Sequence, residues 1–435
     1  MGRYLSVCGG KDLYIGTPPI LEASKPPRNY ISLLARNQST ASCLAFPTTS
    51  IMTAVKAGYW SSTSGFSVAS IDSSHFTHLF CAFADLDPLT YQVNFPATSA
   101  TISRHFLTFT QTVQRRNSNV KTLLSIGGPD SDPSTFAQMA NQRSNRAAFI
   151  SSSIQLARTN NFHGLDLCWL YPSTNQESND LGTLLNEWRN AITDEADGSG
   201  NEPLLLTAQV FYSPLGLYRY PVSVICLRLD WINLLAYGYH TPSNSPNQTR
   251  AHAAWTTRGQ EPSGESGINA WIAEARNNKI KIVLGLPFFG YAWVLVNENN
   301  NQVSAPASGA PANLQPDGLI GYNQIATFAA QRTATTVFDT VTQTNYVYDK
   351  TTWISFDDRR AITNKIRKGQ GEAAGVDWLL CMACGLRQQL ESVKTSCSTM
   401  GITLDQLGEW IKLMLYIHNM HGQKGADLSC SVFCF

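Results

Sequence analysis

Residues 162–172 read FHGLDLCWLYP, and their pattern is typical of a buried β-strand. Apolar residues alternate with small or polar ones, and one carboxylate, Asp166, stands among them. A buried carboxylate near the carboxyl end of a strand commonly serves chemistry. The side chains two and four positions later, Cys168 and Leu170, do not exchange a proton readily at neutral pH. The stretch predicts a strand and leaves three interpretations open: an active site, the remnant of one, or ordinary core.

Six further apolar runs have the length of buried strands, and helical patterns separate most of them. Their near-continuous hydrophobicity is typical of parallel strands that are covered on both faces. Strands that alternate with helices in this way predict the α/β class, as a (β/α)8 TIM-type barrel. An open doubly wound sheet is the alternative, but the glycine fingerprint that would favour it is missing after the first strand. The runs are VKAGYW (55–60), THLFCAFADL (77–86), KTLLSIGG (121–128), LLLTAQV (204–210), WINLLAYG (231–238) and KIVLGLPFFGYAW (281–293).

The rest of the chain suggests three further segments. Residues 1–53 are rich in Pro, Ser and Thr without a clear period, so we expect an atypical, poorly ordered N-terminal extension. A polar segment rich in Gly, Pro and Asn follows strand seven, and we expect it to form a small α+β insertion at about 294–358. The barrel is then expected at 54–374. Residues 375–435 begin GVDWLLCMAC, which does not read as an eighth strand, so this tail is predicted to be aberrant.

Composition argues against several classes of partner and cofactor. The 32 basic and 31 acidic residues are nearly balanced and form no basic block, which disfavours nucleic-acid binding and electrostatic membrane attachment. No apolar run reaches the roughly 18 residues of a transmembrane helix. The ten cysteines show no metal spacing beyond one isolated CxxC, at Cys381 and Cys384, so we expect no metal and no cofactor. The low charge and many polar uncharged residues suit an extracellular protein, although the N-terminus has no recognisable signal peptide.

Taken together, six segments resemble the plant class V chitinases of glycoside hydrolase family 18. The resemblance covers roughly residues 55–368 and rests on several motifs in the same order and spacing. It implies a (β/α)8 barrel, chitinase activity in carbohydrate metabolism and polysaccharide catabolism, a monomer, an extracellular or vacuolar location and a role in plant defence. The segments are VKAGYW, FTHLFCAFADLD, LLSIGG, FHGLDLCWLYP, DWINLLAYGY and LGLPFFGYAW.

The catalytic motif of that family is degenerate in this chain. The family carries D-x-D-x-E on strand four, where the Glu protonates the leaving oxygen and the second Asp orients the substrate's own N-acetyl nucleophile. By resemblance Asp166 is the first of these positions, Cys168 the orienting position and Leu170 the position of the acid. On strand six the family has Met-Ala-Tyr-Asp, whereas here Tyr237 is kept and Gly238 replaces the carboxylate.

These substitutions predict a chain with no intact catalytic residue. Leu170 has no proton to give, and a positioned general acid typically contributes about 10²–10⁴ in rate. A buried thiol at Cys168 stays neutral and is a weak hydrogen-bond partner. We therefore expect Cys168 and Leu170 to fill the barrel mouth as small apolar side chains, in preference to residual catalysis by Asp166 or His163.

Sugar binding is expected to be retained although hydrolysis is lost. By the family pattern, aromatic side chains project from the strand ends or the loops that follow them, where sugar rings can stack. For any one aromatic residue, core packing is the better interpretation, but the set at the top of a barrel favours a ligand, chitin or chito-oligosaccharides. The predicted substrate-binding residues are Tyr59, Phe83, Asp166, Tyr212, Tyr237 and Trp293.

The segment from Gly375 onward affects which function we expect, because it stands where the eighth strand should be. The resemblance implies a last strand with a Trp that floors the sugar site, and the codons from Gly375 onward, read one base later, can encode such a strand. We therefore predict a frameshift just before Gly375. Without an eighth strand, the edges of strands one and seven would be unpaired. Three functions follow: a non-hydrolytic chitin-binding protein, an active chitinase that cleaves internal β-1,4 links, or a non-functional pseudogene product.

Overall fold

The computed structural model describes residues 55–372, except for residues 65, 98, 258 and 277. The predicted N-terminal extension, the segment expected to replace the eighth strand, the frameshift and the aberrant tail lie outside the described residues, as does the CxxC pair. Within the described part of the chain, no helix combines the length and the apolar character needed to cross a membrane.

Seven parallel strands form the main sheet, in the order β1-β2-β4-β5-β6-β7-β8, and a short strand, β3, pairs antiparallel with β2. Each apolar run predicted from the sequence overlaps one of the seven strands. The bounds are β1 Ala57–Ser61, β2 His78–Leu86, β3 Val93–Asn94, β4 Lys121–Gly127, β5 Gly164–Cys168, β6 Leu205–Phe211, β7 Trp231–Leu235 and β8 Ile282–Leu284.

The sheet is rolled into a barrel. Tyr59 in β1 donates a hydrogen bond to Asp166 in β5 and accepts one from Asn233 in β7, although these strands are far apart in the order of the sheet. At the amino ends of the strands, the rings of His78 and Trp231 are 5.1 Å apart. Side chains from distant strands meet only if the sheet curls around them, which confirms the predicted α/β fold of the TIM-barrel type. Among the described residues, β1 and β8 each have a single sheet neighbour.

Helices follow most strands and begin where side chains can cap them. Asp132 caps α2 by accepting from the amide of Ser134, as its Ser-Asp-Pro sequence predicts. Helix α4 begins at Asn175, where Thr174 and Glu177 form a capping box. The helices are α1 Ala100–Gln114, α2 Pro133–Asn141, α3 Arg143–Thr159, α4 Asn175–Ser199, α5 Val222–Arg228, α6 Gly264–Ala275, α7 Tyr322–Ala329 and α8 Arg359–Glu372, with 3-10 turns at Val68–Ser70 and Ser73–His75.

A second, antiparallel sheet of five strands occupies the region of the predicted insertion, in the order β10-β9-β13-β12-β11. The sequence run at 281–293 reads as one strand, but the structure divides it: β8 ends at Leu284 and β9 starts at Phe289 in the second sheet. Pro287 lies within the run and cannot donate to a ladder, which explains the break. The strands are β9 Phe289–Val294, β10 Leu319–Gly321, β11 Thr335–Asp339, β12 Thr344–Asp349 and β13 Thr352–Phe356.

Two glycines at the end of β4 bring this strand close to the end of β5. Gly127 and Gly128 have φ values of 104° and 93°, in the left-handed region that side chains rarely adopt. A Cβ on Gly127 would meet the carbonyl oxygen of Cys168 at 2.5 Å, and one on Gly128 would meet the ring of Phe83 at 2.6 Å. The SIGG motif therefore sets how tightly the strands converge at the barrel mouth.

Candidate functional site

Asp166 lies inside the barrel and is fully buried. Its Oδ1 accepts hydrogen bonds at 2.6 and 3.1 Å, and its Oδ2 accepts at 2.7, 3.0 and 3.5 Å. The donors come from the four strands β1, β4, β6 and β7, so the carboxylate joins distant parts of the sheet. The donors to Oδ1 are Thr207 and Asn233, and those to Oδ2 are Ser125, Tyr59 and Gln209.

This environment gives Asp166 a structural role. Burial raises the pKa of Asp166, while the hydrogen bonds from Ser125, Thr207 and Tyr59 lower it in part. Burial and the negative charge of Asp166 in turn raise the pKa of Tyr59, so its phenol stays protonated and donates. Both carboxylate oxygens are occupied by the protein's own donors, and neither is exposed to the cleft.

Cys168 ends β5 with its side chain fully buried. Burial, reinforced by the charge of Asp166, raises the pKa of the thiol well above its usual range. The backbone carbonyl of Cys168 accepts a hydrogen bond from the amide of Gly128 at 2.9 Å, which holds the end of the strand in place. The side chain is therefore a neutral thiol and cannot supply the negative charge that a carboxylate would place here.

Leu170 follows β5 and is half-buried. It packs against an apolar cluster that contains Tyr59 and Phe289, and the half-buried rings of Phe83 and Tyr237 pack against the same cluster. The mouth of the barrel is thus lined with aliphatic and aromatic groups at the position where the resemblance places a carboxylic acid. Such a surface can stack on a sugar ring but has no proton to transfer.

Gly238 lies three residues after β7 with a φ of 70°. A Cβ at this position would meet nothing closer than the hydroxyl of Tyr291, at 3.9 Å. The site therefore has room for a longer side chain, and aspartate is among the residues that tolerate the left-handed conformation best. The absence of a carboxylate at this position results from the sequence and not from a lack of space.

Three predicted aromatic residues come together around Asp166 and the mouth. Tyr59 is buried and stacks on Phe80 with ring centroids 4.2 Å apart. Phe83 lies over Gly128. Tyr237 is half-buried, meets the ring of Phe289 edge-on at 5.4 Å and lies near enough to contribute to the raised pKa of Tyr59. Phe83 and Tyr237 keep partly exposed faces, whereas Tyr59 supports the site from below.

Two other predicted residues lie elsewhere. Tyr212 is half-buried in a separate aromatic group, with Phe211 at 4.6 Å and Tyr239 at 4.9 Å between ring centroids. The expectation that Trp293 projects from the end of strand seven is wrong. Trp293 belongs to β9 of the second sheet, is fully buried against Trp353 and donates its Nε1 hydrogen to the carbonyl of Ser245.

His163 precedes β5 and so lies at the opposite end of the barrel from Leu170. Its Nδ1 accepts a hydrogen bond from the amide of Thr122 at 3.1 Å. Burial and the nearby Lys121 lower its pKa. His163 therefore does not line the mouth, where active sites of this fold are built, and residual catalysis by this residue stays the disfavoured alternative.

Four donors to Asp166 were not identified from the sequence, namely Ser125, Thr207, Gln209 and Asn233. Each is a polar residue within an otherwise apolar strand, and this inward polar alternation is the signal that could have revealed them. For a metal, the described residues offer no cluster of three or more His, Cys, Asp or Glu side chains.

The fold and the arrangement of the site together define a class, that of TIM-barrel glycoside hydrolases. The family model for glycosyl hydrolases family 18 matches residues 54–378, and the chain belongs to this family. The family predicted from the sequence motifs is thereby confirmed.

Similar proteins agree with this assignment. A class V chitinase of Arabidopsis thaliana is 48% identical over 72% of this chain and 82% of its own length. The crystal structure of a class V chitinase mutant from Nicotiana tobaccum in complex with NAG4 is 43% identical, with a TM-score of 0.76, over 80% of this chain and 99% of that chain. A chitinase-like agglutinin from Robinia pseudoacacia is 39% identical, with a TM-score of 0.72, over 80% and 100% of the two chains.

Proposed function

We propose that this chain binds chitin or N-acetylglucosamine oligosaccharides in the cleft at the carboxyl ends of the barrel strands and does not hydrolyse them. The observation that carries the proposal is Leu170, an aliphatic side chain at the position of the family's acid. We extend the proposal to an extracellular or vacuolar monomer with a role in defence, which rests on the family resemblance.

The chemistry of the mouth supports the loss of hydrolysis. Cleavage of a glycosidic bond needs a proton for the leaving oxygen and negative charge near the developing cation. Leu170 supplies no proton, the Cys168 thiol is neutral, and Gly238 has no side chain. The remaining carboxylate, Asp166, is saturated by protein donors inside the barrel. These losses affect one chemical step, so their effects overlap and are not multiplied.

The aromatic groups of the mouth support retained sugar binding. The rings of Phe83 and Tyr237 are half-buried, which fixes their orientation while leaving part of each ring accessible. Sugar rings stack on such faces through their apolar C–H groups. A tetrasaccharide-bound relative and a relative described as an agglutinin share this fold over 80% of the present chain.

The second candidate is an active chitinase, which the 48% identity to a class V chitinase favours. A pseudogene product without stable function is the third. One experiment separates the three: titrate purified protein with the N-acetylglucosamine tetramer in a calorimeter, and analyse the same mixture for products by mass spectrometry. The proposal requires binding without products, and cleavage at the rate of an intact family member would refute it. A failure to obtain folded protein would favour the third candidate.

The binding site is tested by a matched pair of variants. Tyr237→Ala removes an aromatic face of the cleft, whereas Tyr348→Ala removes a half-buried tyrosine from the second sheet, in β12. We expect the first to weaken binding of the tetramer and the second to leave it near the wild-type value. Equal affinity of all three proteins would place sugar binding outside the proposed cleft.

A further inference from the structure

A cavity of about 490 Å³, called the hairpin pocket below, lies between the loop that follows β7 and the β11–β12 hairpin of the second sheet. Its volume is within the range of about 300–1,000 Å³ that is usual for small-molecule sites. None of the described residues that line it belongs to the barrel mouth, which is lined by Phe83, Leu170, Tyr237 and Phe289. The hairpin pocket is therefore separate from the cleft at the mouth.

Hydrogen bonds fix the walls of the hairpin pocket against each other. The amide of Trp255, in the loop after β7, donates to the carbonyl oxygen of Thr342 in the β11–β12 turn at 2.9 Å. The hydroxyl of Thr249, which is fully buried, donates to the carbonyl oxygen of Gln302 at 2.9 Å. The pocket is thus formed before any ligand arrives, as most small-molecule sites are.

An ion pair of Arg250 and Glu261 lies in the wall of the hairpin pocket. Nη1 of Arg250 donates to Oε1 of Glu261, and Nη2 donates to the side-chain oxygen of Gln248 at 3.0 Å. Nε of Arg250 is buried, and no described residue accepts its hydrogen. A buried donor without an acceptor costs free energy, so a ligand that brings an acceptor to this nitrogen would be favoured.

The charges of the hairpin pocket largely offset one another. Glu261 balances Arg250, and the carboxylate of Asp339 is occupied by two amides of the β11–β12 turn, at 3.2 and 3.1 Å. Burial and the charge of Arg250 lower the pKa of His240, against the opposing effect of Glu261, so this ring is neutral at pH 7. An anionic ligand would be repelled by Glu261 and a cationic one by Arg250, which favours a neutral polar ligand.

Apolar side chains form the rest of the wall. Val303 and Val337 line the hairpin pocket and pack against the apolar cluster that contains Tyr346. The ring of Tyr346 also lines the pocket and stacks on Trp353, with centroids 5.2 Å apart. A sugar ring has an apolar C–H face, and each of its hydroxyl groups both donates and accepts hydrogen bonds. It therefore matches a pocket that combines an apolar wall with a neutral set of donors and acceptors.

We infer that the hairpin pocket binds one neutral sugar residue, independently of the cleft at the barrel mouth. The C–H face of the sugar packs on Val303 and Val337. One sugar hydroxyl accepts a hydrogen bond from Nε of Arg250, and a neighbouring hydroxyl donates to Glu261. This second site goes beyond the chitin binding proposed for the cleft and does not depend on it.

The test uses four neutral sugars and one anion. The sugars are the methyl glycosides of glucose, mannose, galactose and N-acetylglucosamine, and the anion is inorganic phosphate. Two variants alter the hairpin pocket. Arg250→Met/Glu261→Gln removes both charges together, so that neither is left unpaired, and Val303→Phe fills part of the pocket from a half-buried position. Calorimetric titration at millimolar ligand gives each dissociation constant, and circular dichroism shows that each variant is folded.

Two further variants serve as controls. Arg158→Met/Glu195→Gln removes an ion pair between α3 and α4 whose side chains are 24% and 25% exposed, compared with 26% and 41% for the pair in the hairpin pocket. Tyr237→Ala removes an aromatic face of the cleft at the barrel mouth. The first controls for the loss of a partly exposed ion pair, and the second for sugar that binds in the cleft.

We expect at least one of the four sugars to bind the wild type with a dissociation constant in the millimolar range. Both pocket variants should weaken this binding about ten-fold or more. Both control variants should keep the wild-type value to within about two-fold. The inference is overturned if none of the four sugars binds, if the pocket variants bind as the wild type does, or if phosphate binds more tightly than every sugar.

The outcomes distinguish the hairpin pocket from the cleft. If Tyr237→Ala abolishes the binding of every sugar and the pocket variants spare it, the sugars bind only in the cleft and the inference fails. Chitin binding by the cleft is then unaffected, because the tetramer titration tests it separately. Sugar binding that survives Tyr237→Ala and is lost in the pocket variants supports the second site even if the tetramer does not bind in the cleft.

Discussion

Tyr59 in β1 donates its hydroxyl hydrogen to Oδ2 of Asp166 in β5 at 3.0 Å, across the interior of the barrel. The same hydroxyl accepts a hydrogen bond from Asn233 at 2.7 Å, and the Asn233 amide also reaches Oδ1 of Asp166 at 3.1 Å. The three side chains form a closed polar triangle that ties β1, β5 and β7 together. What the sequence presents as the last carboxylate of a catalytic motif is, in the structure, part of the framework of the barrel.

The first prediction concerns the stability role of Asp166. Asp166→Asn replaces one carboxylate oxygen, which accepts hydrogen bonds from protein donors, with an NH2 group that faces those donors. We expect a loss of about 2–4 kcal/mol in the free energy of unfolding. Asp194→Asn, on the exposed face of α4, is the matched control and should change it by less than about 0.5 kcal/mol. Urea unfolding followed by circular dichroism measures both, and similar values for the two variants would contradict a structural role for Asp166.

The second prediction concerns the glycines that close the mouth. Gly127→Ala introduces a Cβ at 2.5 Å from the carbonyl oxygen of Cys168, in addition to the strain of a φ of 104°. Gly200→Ala places an alanine at a comparable positive φ, of 71°, but its Cβ meets nothing within 4 Å. We expect Gly200→Ala to cost about 1 kcal/mol and Gly127→Ala clearly more, about 3 kcal/mol. Thermal unfolding of the two variants measures the destabilisation caused by each substitution. Equal values would show that the close approach of β4 to β5 adds no cost beyond that of the positive φ.

The third prediction concerns the thiol at the orienting position. Cys168 is fully buried with a raised pKa, whereas Cys226 is only partly buried and its pKa is raised less strongly. In native protein at pH 8, iodoacetamide should modify Cys226 and leave Cys168 unmodified, because the thiolate is the nucleophile. Peptide mapping by mass spectrometry gives the extent at each site, with urea-unfolded protein as the control in which both react. Rapid native labelling of Cys168 would mean that it is an exposed and ionised thiol.

The fourth prediction is a pH dependence from the ion pair of Asp72 and His75, whose side chains are largely buried. Burial opposes ionisation of Asp72, but the hydrogen bond and charge of His75 and the hydrogen bonds from Ser74 prevail and lower its pKa from 3.8 to about 2. A carboxyl with a lowered pKa in the folded state stabilises the fold above its unfolded pKa and loses this contribution as the pH falls through its folded value.

Asp72→Asn should therefore be less stable than the wild type at pH 5, by about 1 kcal/mol after allowance for solvent screening. The difference should shrink as the pH falls from about 4 to about 2, and urea unfolding at each pH measures it. A constant difference across this range would show that the pairing does not depend on the charge of Asp72.

The fifth prediction concerns restoration of activity. Leu170→Glu alone should not produce a chitinase, because Cys168 and Gly238 still supply no negative charge near the reacting centre. Cys168→Asp, Leu170→Glu and Gly238→Asp together, with a repaired eighth strand, should restore measurable cleavage of chitin oligosaccharides. The room beside Tyr291 accommodates the new aspartate at position 238. Activity of the single variant would show that the acid is the sole missing group.

The barrel class and the positions of the seven strands could be predicted from the sequence, because apolar runs of strand length alternate with helical patterns, whereas the family was indicated by the resemblance of six motifs. The environment of Asp166 could not, since its donors come from strands whose partners depend on how the sheet closes. The start of β9 could not be predicted from the sequence, because the apolar run continues through Pro287 and no polar turn separates β8 from β9. Trp293 was expected at the sugar site by the family pattern, whereas the structure packs it inside the second sheet.

The most direct test of binding without hydrolysis is a single-turnover incubation. The N-acetylglucosamine tetramer is mixed with a molar excess of protein, at a concentration where calorimetry shows that it is bound, and the intact tetramer is quantified over time by mass spectrometry. We predict that all of the tetramer is recovered intact after a period in which an intact family member would have consumed it. Its conversion to shorter oligomers at a comparable rate would contradict the assignment of Leu170 and Cys168 as the cause of lost catalysis.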